Sequence, residues 1–501
     1  MPRSSQHAAR PTNPGDSSAP QGNAEPDSAG ESWWLFRNDP SATEAAGAKA
    51  RRESKKTASG QFWPAAPPWR RFQTLPTTAG TAQQPTNTAE AAAPPETLDK
   101  NKDYGMGQKY WEDLDKIAQA SSVSSSGVYS RGQTFRLPRD QNNQPTDKAE
   151  RILLAVNAAI RLRRPLLVTG LPGSGKTSLA YAIAAELGLG PVLVWPITPR
   201  SRLLEDGLYR YDALARLQQA DLDRSSHLRM MNDRDSPLDS TPTQEKPAAP
   251  PIDQFIRLGP VGTAFLPSRW PRVLLIDEID KGDLQLPNEL LHLFEEGRYE
   301  IAELTRAQRS DSKGLLEKPY EIRTADAKLS SDGMAGMEEP LTVDLRSGFV
   351  SCGEFPIVVM TSNREREFPP AFHRRCIRIG MPPPDEQVLT PIFEAHFAKE
   401  SPANQPKGKA LREEINIFLG LDLQQAAAAD GEPTGAGPAS IRDRAVDQLL
   451  NALFLLTGQS QDGPDEGQRK ALREILYRNL SDPSEEPESS GSAADGQTPA
   501  E

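Results

Sequence analysis

Arg164-Pro-Leu-Leu-Val-Thr-Gly-Leu-Pro-Gly-Ser-Gly-Lys-Thr-Ser178 is the stretch that decides the fold. Leu166 to Val168 is a short apolar run, the pattern of a buried strand. The run stops at Gly170, a glycine-rich turn follows, and Ser178 to Leu187 has helical spacing. Gly170, Gly175, Lys176 and Thr177 fit G-x-x-x-x-G-K-[ST], a phosphate-binding loop between strand and helix. Glycines let backbone N–H groups turn inward around phosphate oxygens. The helix N-terminus adds partial positive charge. The expected cradle is Gly170, Leu171, Pro172, Gly173, Ser174, Gly175, Lys176, Thr177 and Ser178. Lys176 reaches the β- and γ-phosphates, and the Thr177 hydroxyl is placed to ligate Mg²⁺.

Downstream, Arg272-Val-Leu-Leu-Ile-Asp-Glu278 is an apolar run that ends in two carboxylates. It predicts a buried strand delivering acids at its C-terminal end, where parallel sheets bind ligands. A hundred residues after a phosphate loop, Asp277 is the expected metal-shell acid and Glu278 the group that orients and polarises a water. Phe355 to Thr361 predicts another buried strand, ending in Ser362-Asn363, with Asn363 placed to position water beside the terminal phosphate. Phe368 to Ile379 predicts a short helix and then a fifth strand. Arg374 and Arg375 at that junction offer the positive charge that phosphoryl transfer needs, from the same or a neighbouring subunit.

Composition limits the rest. The 501 residues are only 36% hydrophobic and include 46 prolines, so large parts cannot bury enough apolar surface to offset ordering. Net charge is −11, and no basic, aromatic-interleaved stretch stands out, which argues against a nucleic-acid partner. The two cysteines, Cys352 and Cys376, lack metal-ligand spacing and are expected to be reduced thiols. The N-terminus has no apolar signal core, and no run approaches a membrane span. A soluble, cytoplasmic protein without membrane partners is the expectation.

Residues 1–126 have a disordered-tail composition, interrupted by aromatic islands at Trp33 to Arg37 and at Phe62 to Phe72. Such islands dock either on the chain's own globular part or on a partner. Order is expected from Gly127. Glu150 to Leu162 predicts an amphipathic helix, Val192 to Trp195 a second strand, Tyr211 to Gln219 a helix, and Leu286 to Glu296 another. Polar insertions are expected at about 221–251, as a surface loop, and at about 304–346, where strand-like pieces suggest a β-hairpin. The α/β core spans 127–384, an α-helical part 385–480, and an acidic tail 481–501.

Strand, phosphate loop and helix, then an acid-ended, an Asn-ended and an Arg-preceded strand followed by helices, resembles an AAA+ ATPase: a P-loop NTPase core with a five-stranded parallel sheet and a helical lid. Gly259-Pro260, Leu274 to Asp280, Leu290-Leu291 to Glu295-Glu296-Gly297 and Phe368 to Arg375 resemble the MoxR and dynein-related branch. Ala155-Val-Asn-Ala-Ala159, Gly207 to Ala213 and Pro67-Pro-Trp-Arg70 resemble MoxR-type ATPases of bacterial conflict systems, found with von Willebrand A-type partners. The resemblance implies ATP and Mg²⁺ as ligands, with Thr177 and Asp277 serving the metal. It implies Glu278 for hydrolysis, Asn363 as sensor 1 and Arg375, with Arg374 as alternative, as an arginine finger acting on a neighbouring subunit. Arg442 is the implied sensor 2 arginine. The implied protein is an ATP-hydrolysing remodeller working as a homo-oligomeric ring with a protein partner; the alternative is a slow, nucleotide-gated signalling or assembly switch. A nucleic-acid motor or restriction-type GTPase is disfavoured by the net acidity.

Overall fold

The computed structural model describes residues 34–38, 64, 66–70, 110, 113–114, 132, 134–140, 142, 144–232, 250–268, 270–310, 319–327, 340–382, 389, 414–417, 449, 451–452, 455 and 466–476. Helix α1 (Asp147–Leu162) starts where the Thr146 hydroxyl accepts from the Ala149 amide, with Asp147 and Glu150 in its first turn. Those acids complement the helix dipole. It ends at Arg163 in the left-handed conformation. Ile152, Leu153, Val156, Ala159 and Ile160 form its buried face, as their spacing predicts, and the same face also buries Asn157 completely.

The core sheet holds β1 (Leu166–Thr169), β2 (Leu193–Pro196) and three strands from later in the chain. Between them, α2 (Lys176–Leu187) begins two residues earlier than its apolar spacing predicts, directly from Gly175. Gly175 has φ 85°, a conformation that costs a glycine little. A π-helical turn, Leu203–Leu208, leads to β3 (Tyr209–Tyr211). Helix α3 (Ala213–Asn232) follows. The residues from Asp221 to Asn232 therefore continue a helix, and the irregular loop expected there does not begin at 221.

Next come β4 (Ile256–Leu258), α4 (Pro260–Ala264) and β5 (Val273–Asp277). A Cβ on Gly262 would lie 2.0 Å from the Leu208 carbonyl oxygen, so only glycine lets α4 pack this close to the π-helical turn. Helix α5 (Leu286–Glu296) has the bounds its sequence pattern predicts and buries Leu286, Leu290, Leu291, Leu293 and Phe294. Then follow β6 (Arg298–Glu300), α6 (Ala302–Ser310), β7 (Tyr320–Ala327), β8 (Pro340–Leu345), β9 (Phe349–Ser351), β10 (Ile357–Ser362), α7 (Pro370–Arg375), β11 (Ile377–Gly380) and α8 (Glu466–Leu476).

All five expected core strands join one parallel sheet in the order β11-β1-β10-β5-β2. Every residue of β10 is buried, as suits a strand in the middle of a covered parallel sheet. The expected hairpin is present as β7 and β8, and it completes a second, four-stranded sheet in the order β3-β4-β7-β8. A two-stranded pair joins β6 to β9. Among the described residues, no helix is long and apolar enough to cross a membrane. The acidic tail and nearly all of the expected helical part fall outside the described residues.

Candidate nucleotide site

Parallel register carries the ends of three adjacent strands to one edge. Thr169 pairs with Ser362, and Met360 with Ile276, so the phosphate loop, Asn363 and Asp277-Glu278 follow strand tips lying side by side. Gly173 and Gly175 have φ values of 72° and 85°. These left-handed turns curl the loop, and Lys176 Nζ donates back to the carbonyls of Gly170 and Leu171 at 3.0 and 2.7 Å. Lys176 is 7% exposed. Burial lowers the pKa of its ammonium, and the carboxylates of Asp277, Asp280 and Glu278 oppose that shift. Ser174 Oγ is buried and has no hydrogen-bond partner among the described residues. A buried hydroxyl without a partner in a glycine-rich loop at the start of a helix suits a phosphate oxygen.

Asp277 sits at the end of β5. Its Oδ1 accepts from the Thr177 hydroxyl at 3.1 Å and from the Thr361 hydroxyl at 2.6 Å. Thr361 Oγ1 also accepts from the Glu278 amide at 2.8 Å. Thr361 thus joins β10 to the acidic tip of β5, a role that apolar patterning does not reveal. Its signal was a hydroxyl in an otherwise apolar buried strand.

Glu278 has φ 58°, uncommon for a residue with a Cβ and costly by about 1–3 kcal/mol. Its carboxylate is shared between Lys281 Nζ at 2.8 Å and Asn363 Nδ2 at 3.4 Å. The bond to Glu278 raises the pKa of the Lys281 ammonium. Glu278 and Lys281 remain 41% and 39% exposed, so the pair is open to solvent.

Arg374 and Arg375 do not join this edge. Ile377 pairs with Leu166, and its amide donates to the Pro165 carbonyl, which puts Arg375 at the start of β1. The phosphate loop starts beyond the other end of β1, about 10 Å away at the usual rise per residue. Arg375 pairs with Glu295 of α5 and donates to the Ala371 carbonyl at 3.2 Å. Arg374 is exposed, and its carbonyl accepts from Arg164 at 2.9 Å. Arg442 lies outside the described residues.

For a divalent cation, the edge offers the Asp277 carboxylate and the Thr177 hydroxyl, already 3.1 Å apart. That donor set fits Mg²⁺, which keeps several waters and takes its remaining ligands from phosphates. Among the described residues, no group of three or more His, Cys, Asp or Glu side chains is arranged to hold a metal by itself.

No protein-family model matches the chain, and no curated relative does. Solved structures with some likeness include NtrX from Brucella abortus in complex with ATP: 13% identity over 74% of this chain and 60% of that one, with a TM-score of 0.29. Another is Hsp104 with ATPγS and FITC casein: 14% identity over 68% and 50% of the two chains, with a TM-score of 0.24. This chain spans less than two thirds of either.

Proposed function

We propose that this chain is a MoxR-type AAA+ ATPase that binds ATP with Mg²⁺, hydrolyses it, and remodels a protein partner as a homo-oligomeric ring. The supporting observation is the meeting of Thr177, Asp277, Thr361, Glu278 and Asn363 at the mouth of a phosphate loop. Inward-turned amides and Lys176 bind the phosphates. Thr177 and Asp277 hold Mg²⁺, which when bound neutralises charge on the β- and γ-phosphates. Glu278 orients a water toward the terminal phosphate, and Asn363 fixes the direction of its carboxylate. The aromatic island at 34–36, by contrast, belongs to this chain's own core, with Leu35 and Phe36 buried.

Arg375 supports the ring. It is too far from its own phosphate loop, yet half-exposed beside Glu295, so its charge serves catalysis only through a neighbouring copy. A von Willebrand A-type partner and a conflict-system role follow from the resemblance of Ala155 to Ala159, Gly207 to Ala213 and Pro67 to Arg70.

One observation favours a second reading, a slow nucleotide-gated switch: one oxygen of the Glu278 carboxylate is engaged by Lys281, which competes with a water for it. Turnover at several protein concentrations separates the two. A ring enzyme turns over faster per subunit as concentration rises, and Glu278→Gln and Arg375→Ala abolish turnover while nucleotide still binds. Turnover that is slow at every concentration and indifferent to Arg375→Ala supports the switch.

A further inference from the structure

Three residues past Asp277, the 3₁₀ turn Ile279–Lys281 carries Asp280, a carboxylate that is 2% exposed. A buried charge is retained only where something compensates it. Here the compensation comes from backbone: Asp280 Oδ2 accepts from the Asn363 amide at 2.9 Å and from the Glu365 amide at 3.1 Å. Both amides belong to the loop that leaves β10. The Asn363 side chain on that loop donates to Glu278 at 3.4 Å. The same turn is held from the other side by Arg366, which donates to the Gly282 carbonyl at 2.7 Å. Loop and turn are therefore fastened twice, with Glu278 and Asn363 inside the clasp.

Resting on the hydrolysis reading above, we infer that Asp280 is a positioning residue: it sets the Asn363 loop against the Glu278 turn, and through that loop the direction of the Glu278 carboxylate. It acts as an acceptor for two amides and not as an acid, a base or a metal ligand. Asp280 Oδ1 has no hydrogen-bond partner among the described residues, so only one of its oxygens makes the clasp. Asparagine presents the same carbonyl oxygen and adds donors where Oδ1 lies. The inference therefore distinguishes alanine from asparagine.

The test uses the full chain with ATP and Mg²⁺, comparing the parent with Asp280→Ala and Asp280→Asn. Asp280→Ala is expected to lower kcat by roughly 10- to 100-fold, the scale of a misplaced catalytic group, with KM for ATP within about threefold of the parent. Asp280→Asn is expected to recover most of the loss. Hydrogen exchange in a peptide covering 357–367 reads the clasp without any turnover. Exchange at Asn363 and Glu365 should be on the order of tenfold faster in Asp280→Ala and slow again in Asp280→Asn. An Asp280→Asn variant as inactive as Asp280→Ala would show that the charge itself is needed and overturn the inference. Unchanged exchange in Asp280→Ala would overturn it as well. If the parent binds ATP but never turns it over, the hydrolysis reading fails, and the exchange measurement still decides whether Asp280 holds the loop. If Asp280→Ala does not fold, turnover and exchange in Asp280→Asn decide alone: parent-like exchange with turnover near the parent supports the clasp, and loss of either overturns it.

Discussion

The two ends of the five-stranded sheet carry the same kinds of side chain and use them in opposite ways. At the end where the strands begin, three arginines beneath the sheet are drawn into closed networks, while Arg375 and Glu295 at its margin stay half-exposed. Arg272 is 2% exposed and grips Asp326, also 2% exposed, through two bonds of 2.8 Å; it donates further to the Tyr110 hydroxyl and the Pro191 carbonyl. Arg163 pairs with Glu354 at 3.0 Å and donates to the Pro64 carbonyl at 2.8 Å. Arg70 donates to the carbonyls of Phe294 and Arg163 and lies over the Phe355 ring. At the end where the strands finish, Glu278 and Lys281 stay open to water, Ser174 Oγ has no partner among the described residues, and Glu278 holds a costly backbone conformation. Charge alone does not mark a site. What marks it is exposed charge carried on backbone that stability alone would not select.

The largest expected effect breaks this comparison at the open end. Lys176→Ala removes the cation proposed to meet the phosphates, and nucleotide affinity should fall at least about 100-fold, the worth of two charge-assisted bonds to phosphate oxygens. Stability should change by less than about 1 kcal/mol, because burial already works against the Lys176 charge. Titration with a fluorescent ATP analogue and thermal melting measure the two. Retained affinity would remove the basis of the proposed function.

At the closed end the order reverses. Asp326→Ala strands the Arg272 guanidinium in the interior and should cost about 3–5 kcal/mol, read by urea unfolding. A second change, Arg272→Met, should recover much of that loss, since a buried pair is costly when broken and cheap when replaced as a unit. ATP affinity of the folded fraction should stay within about threefold of the parent. A large loss of affinity in Asp326→Ala would mean the two ends are coupled and would end the contrast.

Sequence patterning read these regions unequally, for a physical reason. The phosphate loop, Asp277-Glu278 and Asn363 were legible because their chemistry requires fixed residue types at fixed spacing along the chain. The five core strands were legible because burial on both faces gives unbroken apolar runs such as Val273 to Ile276. Partners distant in sequence were not legible. Arg272 and Asp326 are 54 residues apart, and nothing local to either announces the other. Thr361 and Asp280 were missed because each acts through the tip of a neighbouring strand or loop, a relation created by register. The sequence pattern stops helix α3 at Gln219 because its polar surface, with Leu214, Leu217 and Leu222 all exposed, carries no core-facing stripe.

Asn157 gives a smaller effect that sharpens the contrast. It is fully buried in α1, and its Oδ1 accepts from the amides of Leu35 and Phe36 at 2.6 and 3.1 Å. Its Nδ2 donates to the Phe36 carbonyl at 2.9 Å and back to the Leu153 carbonyl at 2.8 Å. One side chain thereby fastens an aromatic segment more than a hundred residues earlier in the chain. Asn157→Leu keeps the branching of the side chain but orphans two amides, so it should cost about 1–3 kcal/mol and expose the chain near Phe36 to protease. Unaltered cleavage near Phe36 would show that this segment is held by its apolar side chains alone.

The smallest effect needs no substitution. Cys352 is fully buried, and Cys376, beside Arg375, is 6% exposed. Burial raises the pKa of both thiols, that of Cys376 to about 12. The thiolate is the reactive species, so at pH 8 neither cysteine should react with a thiol reagent on the timescale of a free thiol. Both should react once urea unfolds the chain. Raising the pH from 8 to 10 should add little at Cys376, because its thiol stays protonated until near 12, whereas a free thiol would already be ionised. Rapid labelling of Cys376 in the native protein, with Cys352 still protected, would mean that the α7–β11 junction opens by itself. The beginning of β11 would then belong with the open end of the molecule, and Arg375 would sit on a moving hinge instead of a fixed corner.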